Sequence, residues 1–246
     1  MRGDLTAQTI SITGDGGATL EAYTASPSDG GARGGVVVIH HLPGYDLATK
    51  EIVRRFAAEG YDAICPNLYS REGSGMDPDD AAALVRANGG IPDAQLVGDV
   101  AGAVAWLRAL TTSNGKAGTI GYCSGGRQSF LCAGSLEIDA AVDCYGAFVV
   151  GNPPDGWPLK MSSLEHLVPS LHCPVLGLFG AEDTYPPPAD MENLSGQLTA
   201  AGKPHSFHYL EGAGHGFFSV DRPMYRPEAA KEGWKLVLDF FGENLA

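Results

Sequence analysis

The hexapeptide Gly121-Tyr122-Cys123-Ser124-Gly125-Gly126 joins a buried-type apolar stretch, AGTIGY, to an apolar segment beginning at Ser124. A strand that turns abruptly into a helix leaves the corner residue strained, with its side chain projecting, and glycines on either side avoid collisions that a Cβ would cause. That is the mechanical setting of a nucleophile elbow, and here the corner residue is a cysteine. The start of the following helix favours the thiolate form. A glycine-rich turn at a helix start can instead cradle phosphate, but that use wants a lysine near Ser124, and none is present.

A thiol nucleophile needs a base, and the base needs an orienting acid. Asp183 stands in FGAED, just after the apolar strand expected at 174–179, and His215 stands in GAGHGFF, just after the strand expected at 205–210. The chain order nucleophile, acid, histidine is that of α/β-hydrolases, with all three groups at strand C-terminal ends and able to converge. His215 would carry the proton while Asp183 fixes its tautomer, with Glu182 as the rival carboxylate. The oxyanion hole is expected from the backbone N–H of Ser124 and of Leu42, each donor worth on the order of 3 kcal/mol in transition-state stabilisation. Pro43-Gly44 suits a loop that must approach substrate closely.

The elements that would position these groups alternate along the chain. QTISIT and TLEAYTA, joined at Gly14-Asp15-Gly16-Gly17, read as an antiparallel hairpin. VVVIH at 36–40 is the continuous β-branched run of a strand covered on both faces. Helices are expected over 48–59, around 82–85, over 93–110, from Ser124, near 188–201 and over 226–241, with strands YDAICP, AGTIGY, 138–145, 174–179 and 205–210 between them. The pattern is one α/β domain over residues 1–246 with a mostly parallel open sheet, helices on both faces and the antiparallel hairpin at its start. A segment of about 146–173, rich in Pro, Gly and Trp, is too long for an ordinary connection and reads as a surface excursion or lid. Trp157, Tyr145 and Phe148 are candidates to line a pocket beside it.

Composition narrows the partners. The 246 residues carry 16 basic and 29 acidic side chains, net −13, and the basic residues are scattered singly apart from Arg54-Arg55, so no polyanion-binding stripe exists and a nucleic-acid partner is not expected. No apolar run is long enough to span a membrane, and MRGDLTAQTI lacks the apolar core of a signal peptide, so the expected compartment is the cytosol. Five cysteines at irregular spacing, with no C-x-x-C, argue against a disulfide framework and a zinc site, and Cys65, Cys132, Cys144 and Cys173 read as small buried hydrophobes. No cofactor or metal is expected: His40 and His41, like His205 and His208, would face opposite ways in extended chain.

Together VVVIHHLPG, NLYSREG, GYCSGG, FGAED and GAGHGFFSVDRP resemble the dienelactone hydrolase family of α/β-hydrolases over most of the chain. The resemblance implies a Cys123-His215-Asp183 triad, a thioester acyl-enzyme and a small ester or lactone substrate. Two departures stand out. Members resembling the name-giving enzyme carry a glutamate directly after the 36–40 strand, where this chain has His41. Lactone-specific members carry an arginine four residues after the histidine, where this chain has Ser219. His41 is therefore a candidate second base or pocket-shaping group, and Arg71 or Arg127, with Tyr122 nearby, are candidate substrate contacts. The alternatives are an acyl-thioester hydrolase or transferase with the same triad, and a non-catalytic electrophile-binding relative; whether the chain is monomer or homodimer is left open.

Overall fold

The computed structural model describes residues 4–246; the first three positions of the expected domain lie outside the described residues. The polar, alternating N-terminal segment forms the hairpin β1 (Leu5–Thr13) and β2 (Thr19–Pro27), with β1 at the exposed edge of the sheet. The apolar runs become strands β3 (Arg33–Ile39), β4 (Asp62–Pro66), β5 (Ser113–Tyr122), β6 (Ala140–Cys144) and β7 (Val175–Gly180), with β8 (His205–Leu210) closing the far edge. One eight-stranded sheet results, in the order β1-β2-β4-β3-β5-β6-β7-β8, antiparallel through β1, β2 and β4 and parallel thereafter.

Every residue of β3 is buried, as a strand covered on both faces requires. Its alternating side chains feed two cores. Val37 and Ile39 pack with α2 (Pro78–Ala87), α3 (Asp93–Arg108), α4 (Ser124–Ser135) and α5 (Pro188–Ala200). Val36 and Val38 pack with α1 (Leu47–Ala58) and α6 (Pro227–Leu245) on the other face. The expected α/β architecture is thus observed, and the helices sit within a few residues of their expected bounds.

Two boundaries differ from the sequence reading for a common reason. β5 begins at Ser113 rather than 117, and α6 runs on to Leu245 rather than stopping near Phe241. Leu245 is fully buried, and its carbonyl accepts from Asn114 Nδ2 at 2.8 Å, so the early part of β5 and the end of α6 stabilise each other. Such mutual support across 131 positions leaves no local periodicity to read.

The segment between β6 and β7 is less lid-like than expected. Val149, Leu164, Val168 and Leu171 are buried in the first core, and a 3-10 turn covers Glu165–Ser170. Leu164 N–H donates to Val149 O, and Lys160 N–H donates to Gly89 O at 2.7 Å, tying the segment to itself and to the end of α2. Only the crest around 151–160 is largely exposed. No helix among the described residues is long and apolar enough to cross a membrane.

Candidate active site

Cys123 occupies the turn between β5 and α4 with φ 57° and ψ −120°, a conformation that costs a residue with a Cβ about 1–3 kcal/mol and persists only where its surroundings enforce it. They do so by close packing. A Cβ on Gly121 would lie 1.8 Å from Gly125 O, and one on Gly125 would lie 2.4 Å from Ile39 O. Cys123 N–H is held by Cys144 O of the neighbouring strand at 3.0 Å. Of the five cysteines, all free, Cys65, Cys132, Cys144 and Cys173 are buried and Cys123 alone is half-buried. Burial drives the Cys65, Cys132 and Cys144 thiols upward, toward the neutral form.

The loops after β7 and β8 bring two more groups to the same sheet edge. His215 Nδ1 lies 3.0 Å from Asp183 Oδ2, and the other carboxylate oxygen of Asp183 accepts from Tyr185 N–H at 2.9 Å. Asp183 is buried, whereas the rival Glu182 is exposed. Nδ1 is committed to Asp183, and Cys123 lies close enough to His215 for its charge to act on the imidazole. Burial works against charge on this imidazole, but the Asp183 carboxylate and the Cys123 thiol outweigh it and raise its pKa to about 10. The structure therefore sets His215 against Asp183, with Cys123 near enough to act electrostatically on the imidazole.

A cavity of about 360 Å³ opens beside Cys123, bounded by Leu42, Ser124, Arg127, Ala147, Phe148 and Trp157 among others. Ser124 begins α4, so its N–H has no acceptor within the helix and is free to face the cavity. Leu42 also lines the cavity, in a loop fastened by His40. That ring is buried, contacts His41 O through Nδ1 at 3.0 Å and accepts from Leu68 N–H through Nε2 at 3.1 Å, which fixes one neutral tautomer. Burial lowers the His40 pKa to about 4, in keeping with those bonds.

The other candidates are placed differently. Arg71 grips the fully buried Asp99 with both guanidinium nitrogens, at 2.6 and 2.7 Å, and donates to Asp15 O at 3.1 Å, so it joins the hairpin turn to α3 instead of bordering the Cys123 cavity. Arg127 does border it, but its guanidinium is held by Asp93 at 3.0 and 3.2 Å and by Ser162 O at 2.8 Å. Its charge is thereby spent on fastening the insertion. Tyr122, the last residue of β5, is buried in the second core against Tyr145 and Phe218 and does not border the Cys123 cavity. His41 Nε2 sits 3.6 Å from Asp46 Oδ2 and borders a separate cavity of about 90 Å³ with Tyr122, Tyr145 and Ser219; burial lowers its pKa.

Several neighbours of the site escaped the sequence reading. Tyr145, expected only as a pocket-lining ring, is fully buried with φ 47° and stands edge-on to His215 at 5.1 Å. Asp143 is buried behind the elbow; its Oδ1 accepts from Gly146 N–H at 2.7 Å, its Oδ2 has no partner, and burial raises its pKa to about 7. Tyr69 is buried close enough to Cys123 to feel its charge, although burial is the larger cause of its raised phenol pKa. Arg86, in the last turn of α2, borders the Cys123 cavity and is exposed. The NLYSREG segment carried a hint of Tyr69; nothing local marks Asp143 or Arg86. Among the described residues no cluster of His, Cys, Asp and Glu could hold a metal ion.

Known proteins are similar to this chain in sequence and fold. The chain is 33% identical over 225 residues to a Methylorubrum extorquens protein provisionally named carboxymethylenebutenolidase, covering 90% of this chain and 76% of the relative. It is 30% identical over 236 residues to carboxymethylenebutenolidase of Pseudomonas putida, covering 94% of each. A provisionally named dienelactone hydrolase of Klebsiella pneumoniae superposes with a TM-score of 0.86 at 30% identity, over 97% of this chain and 99% of that one. The sequence profile of the dienelactone hydrolase family matches residues 20–245, and the chain therefore belongs to that family of ester and lactone hydrolases.

Proposed function

We propose that the protein hydrolyses small esters or lactones through a Cys123-His215-Asp183 triad and a thioester acyl-enzyme. The observation that carries this reading is His215 held at 3.0 Å by a buried carboxylate on one side and coupled to the elbow thiol on the other. An imidazole whose pKa lies at about 10 is imidazolium at neutral pH and stands ready to offset the charge of a reacting thiolate. The thiolate attacks the carbonyl carbon, and the oxygen takes up negative charge opposite the N–H groups of Ser124 and Leu42. Collapse expels the alkoxide, which receives the proton of His215, leaving the acyl group on sulfur.

In the second half His215, now neutral, takes a proton from water as its oxygen attacks the thioester. Collapse returns the thiolate and the imidazolium and releases the acid. An amide is the poorer substrate, since thiolate leaves the tetrahedral intermediate more readily than an amine. Thiol-dependent chemistry suits a reducing compartment such as the cytosol, where Cys123 and the four buried cysteines stay reduced.

His41 we assign to pocket shape and loop positioning beside Asp46 rather than to proton transfer. His41→Ala and His41→Glu should then change the pH–rate profile of ester hydrolysis little. A displaced profile in both would make His41 a second base. The triad itself is tested with p-nitrophenyl acetate: multiple turnovers, abolished by one equivalent of a thiol alkylator, support the reading, whereas one acylation without turnover supports an electrophile binder.

A further inference from the structure

Outside the triad, the most unusual surface feature is a group of three rings drawn from two separate loops. Phe148 follows β6, Trp157 sits on the crest of the insertion, and Tyr185 follows Asp183 in the loop after β7. Their centroids lie 5.0 Å apart for Phe148 and Trp157, 5.8 Å for Phe148 and Tyr185, and 5.9 Å for Trp157 and Tyr185. Rings in such mutual contact normally close a core. These do not: Trp157 is 38% exposed and Tyr185 48% exposed.

Their position gives the exposure a purpose. Phe148 and Trp157 border the cavity of about 360 Å³ that contains Cys123, and Phe148 and Tyr185 border an adjoining one of about 390 Å³. Phe148 adopts φ 60°, a conformation that a bulky residue occupies only at a cost and that sets its ring between the two cavities. The rest of the Cys123 cavity is largely apolar, with Leu42, Pro158, Leu159 and Met161. Tyr185 is tied to the chemistry as well, because its backbone N–H holds Asp183.

We propose that Phe148, Trp157 and Tyr185 form an aromatic recognition wall, and that the preferred substrates are esters or lactones carrying one flat aromatic ring next to the scissile group. This deepens the hydrolase reading above and rests on it. Flatness follows from the ring faces, which reward stacking over a puckered ring of equal size. A single ring follows from volume, since about 360 Å³ lies at the low end of small-molecule sites, which run from roughly 300 to 1,000 Å³.

The test uses ester pairs of matched intrinsic reactivity: benzyl acetate against cyclohexylmethyl acetate for a ring on the alcohol side, and methyl phenylacetate against methyl cyclohexylacetate for one on the acyl side. The wild-type protein should favour the aromatic member of at least one pair by roughly three- to tenfold in kcat/KM, mainly through KM. Trp157→Leu should abolish that preference, and Trp157→Phe should retain most of it. Inhibition by benzyl alcohol or phenylacetate stronger than by the matching cyclohexyl compound gives the same answer without a variant. Equal kcat/KM within both pairs, or a preference that survives Trp157→Leu, would overturn the wall alone. Absence of turnover on all four esters with p-nitrophenyl acetate still hydrolysed would overturn the wall alone, and absence of turnover on all five would overturn the hydrolase reading and the wall with it.

Discussion

The elbow and the insertion crest border the same cavity but are built on opposite physical terms. At the elbow, Gly121, Gly125 and the strained Cys123 are locked by backbone-to-backbone contacts too close for any Cβ, so sequence and conformation leave each other no freedom. At the crest, Trp157 and its neighbours at 151–160 are mostly exposed and reach the cavity from an irregular segment anchored at its ends. Rigid geometry therefore belongs to the bond-making groups, and adaptable surface belongs to the groups that meet the substrate. Changes at the elbow should abolish chemistry, and changes at the crest should redirect it.

The contrast is sharpest at the nucleophile. Cys123→Ala should reduce kcat on p-nitrophenyl acetate by roughly 10⁴-fold or more, since the acyl-enzyme route vanishes with the sulfur. Asp183→Asn comes next, at roughly 10²- to 10⁴-fold, with the His215 pKa falling from about 10 as its carboxylate partner disappears; an NMR titration of the imidazole checks the second part. Gly125→Ala should lower both activity and Tm, because its Cβ meets the Ile39 carbonyl, whereas Pro154→Ala on the crest should leave stability within about 0.5 kcal/mol. Equal sensitivity of the two sites would erase the distinction.

A smaller effect concerns pH and stability. Asp143 has its pKa raised to about 7 in the folded state, above the roughly 3.9 of an unfolded aspartate. A raised carboxyl binds its proton more tightly when folded, so its contribution is fully present below the unfolded value and is lost as pH climbs through 7. Asp143→Asn should therefore flatten the decline in Tm between about pH 4 and pH 7. A wild-type slope unchanged in the variant would show that Asp143 is not the group responsible.

Much of the fold was legible because its signals are local. The β-branched run at 36–40 announces a covered strand, and the order of Cys123, Asp183 and His215 along alternating elements announces convergence at one sheet edge. What could not be read depends on contacts between distant segments. Arg71 and Arg127 read as candidate substrate contacts, but their guanidinium groups are held by Asp99 and Asp93 on α3, partners distant in sequence. Tyr122 is buried in the second core by residues far along the chain, and the wall of Phe148, Trp157 and Tyr185 requires two loops to meet. Asp143 gives no signal at all, since an aspartate at a strand end is ordinarily solvated.

Covalent capture of the acyl group offers the most direct trial of the nucleophile assignment. After brief mixing with p-nitrophenyl acetate and an acid quench, peptide mass mapping should find the acetyl group on the peptide bearing Cys123, on sulfur and removable by neutral hydroxylamine, and absent from Cys123→Ala. Acetylation confined to Ser124 or another residue, or undiminished steady-state hydrolysis by Cys123→Ala, would contradict a thioester intermediate.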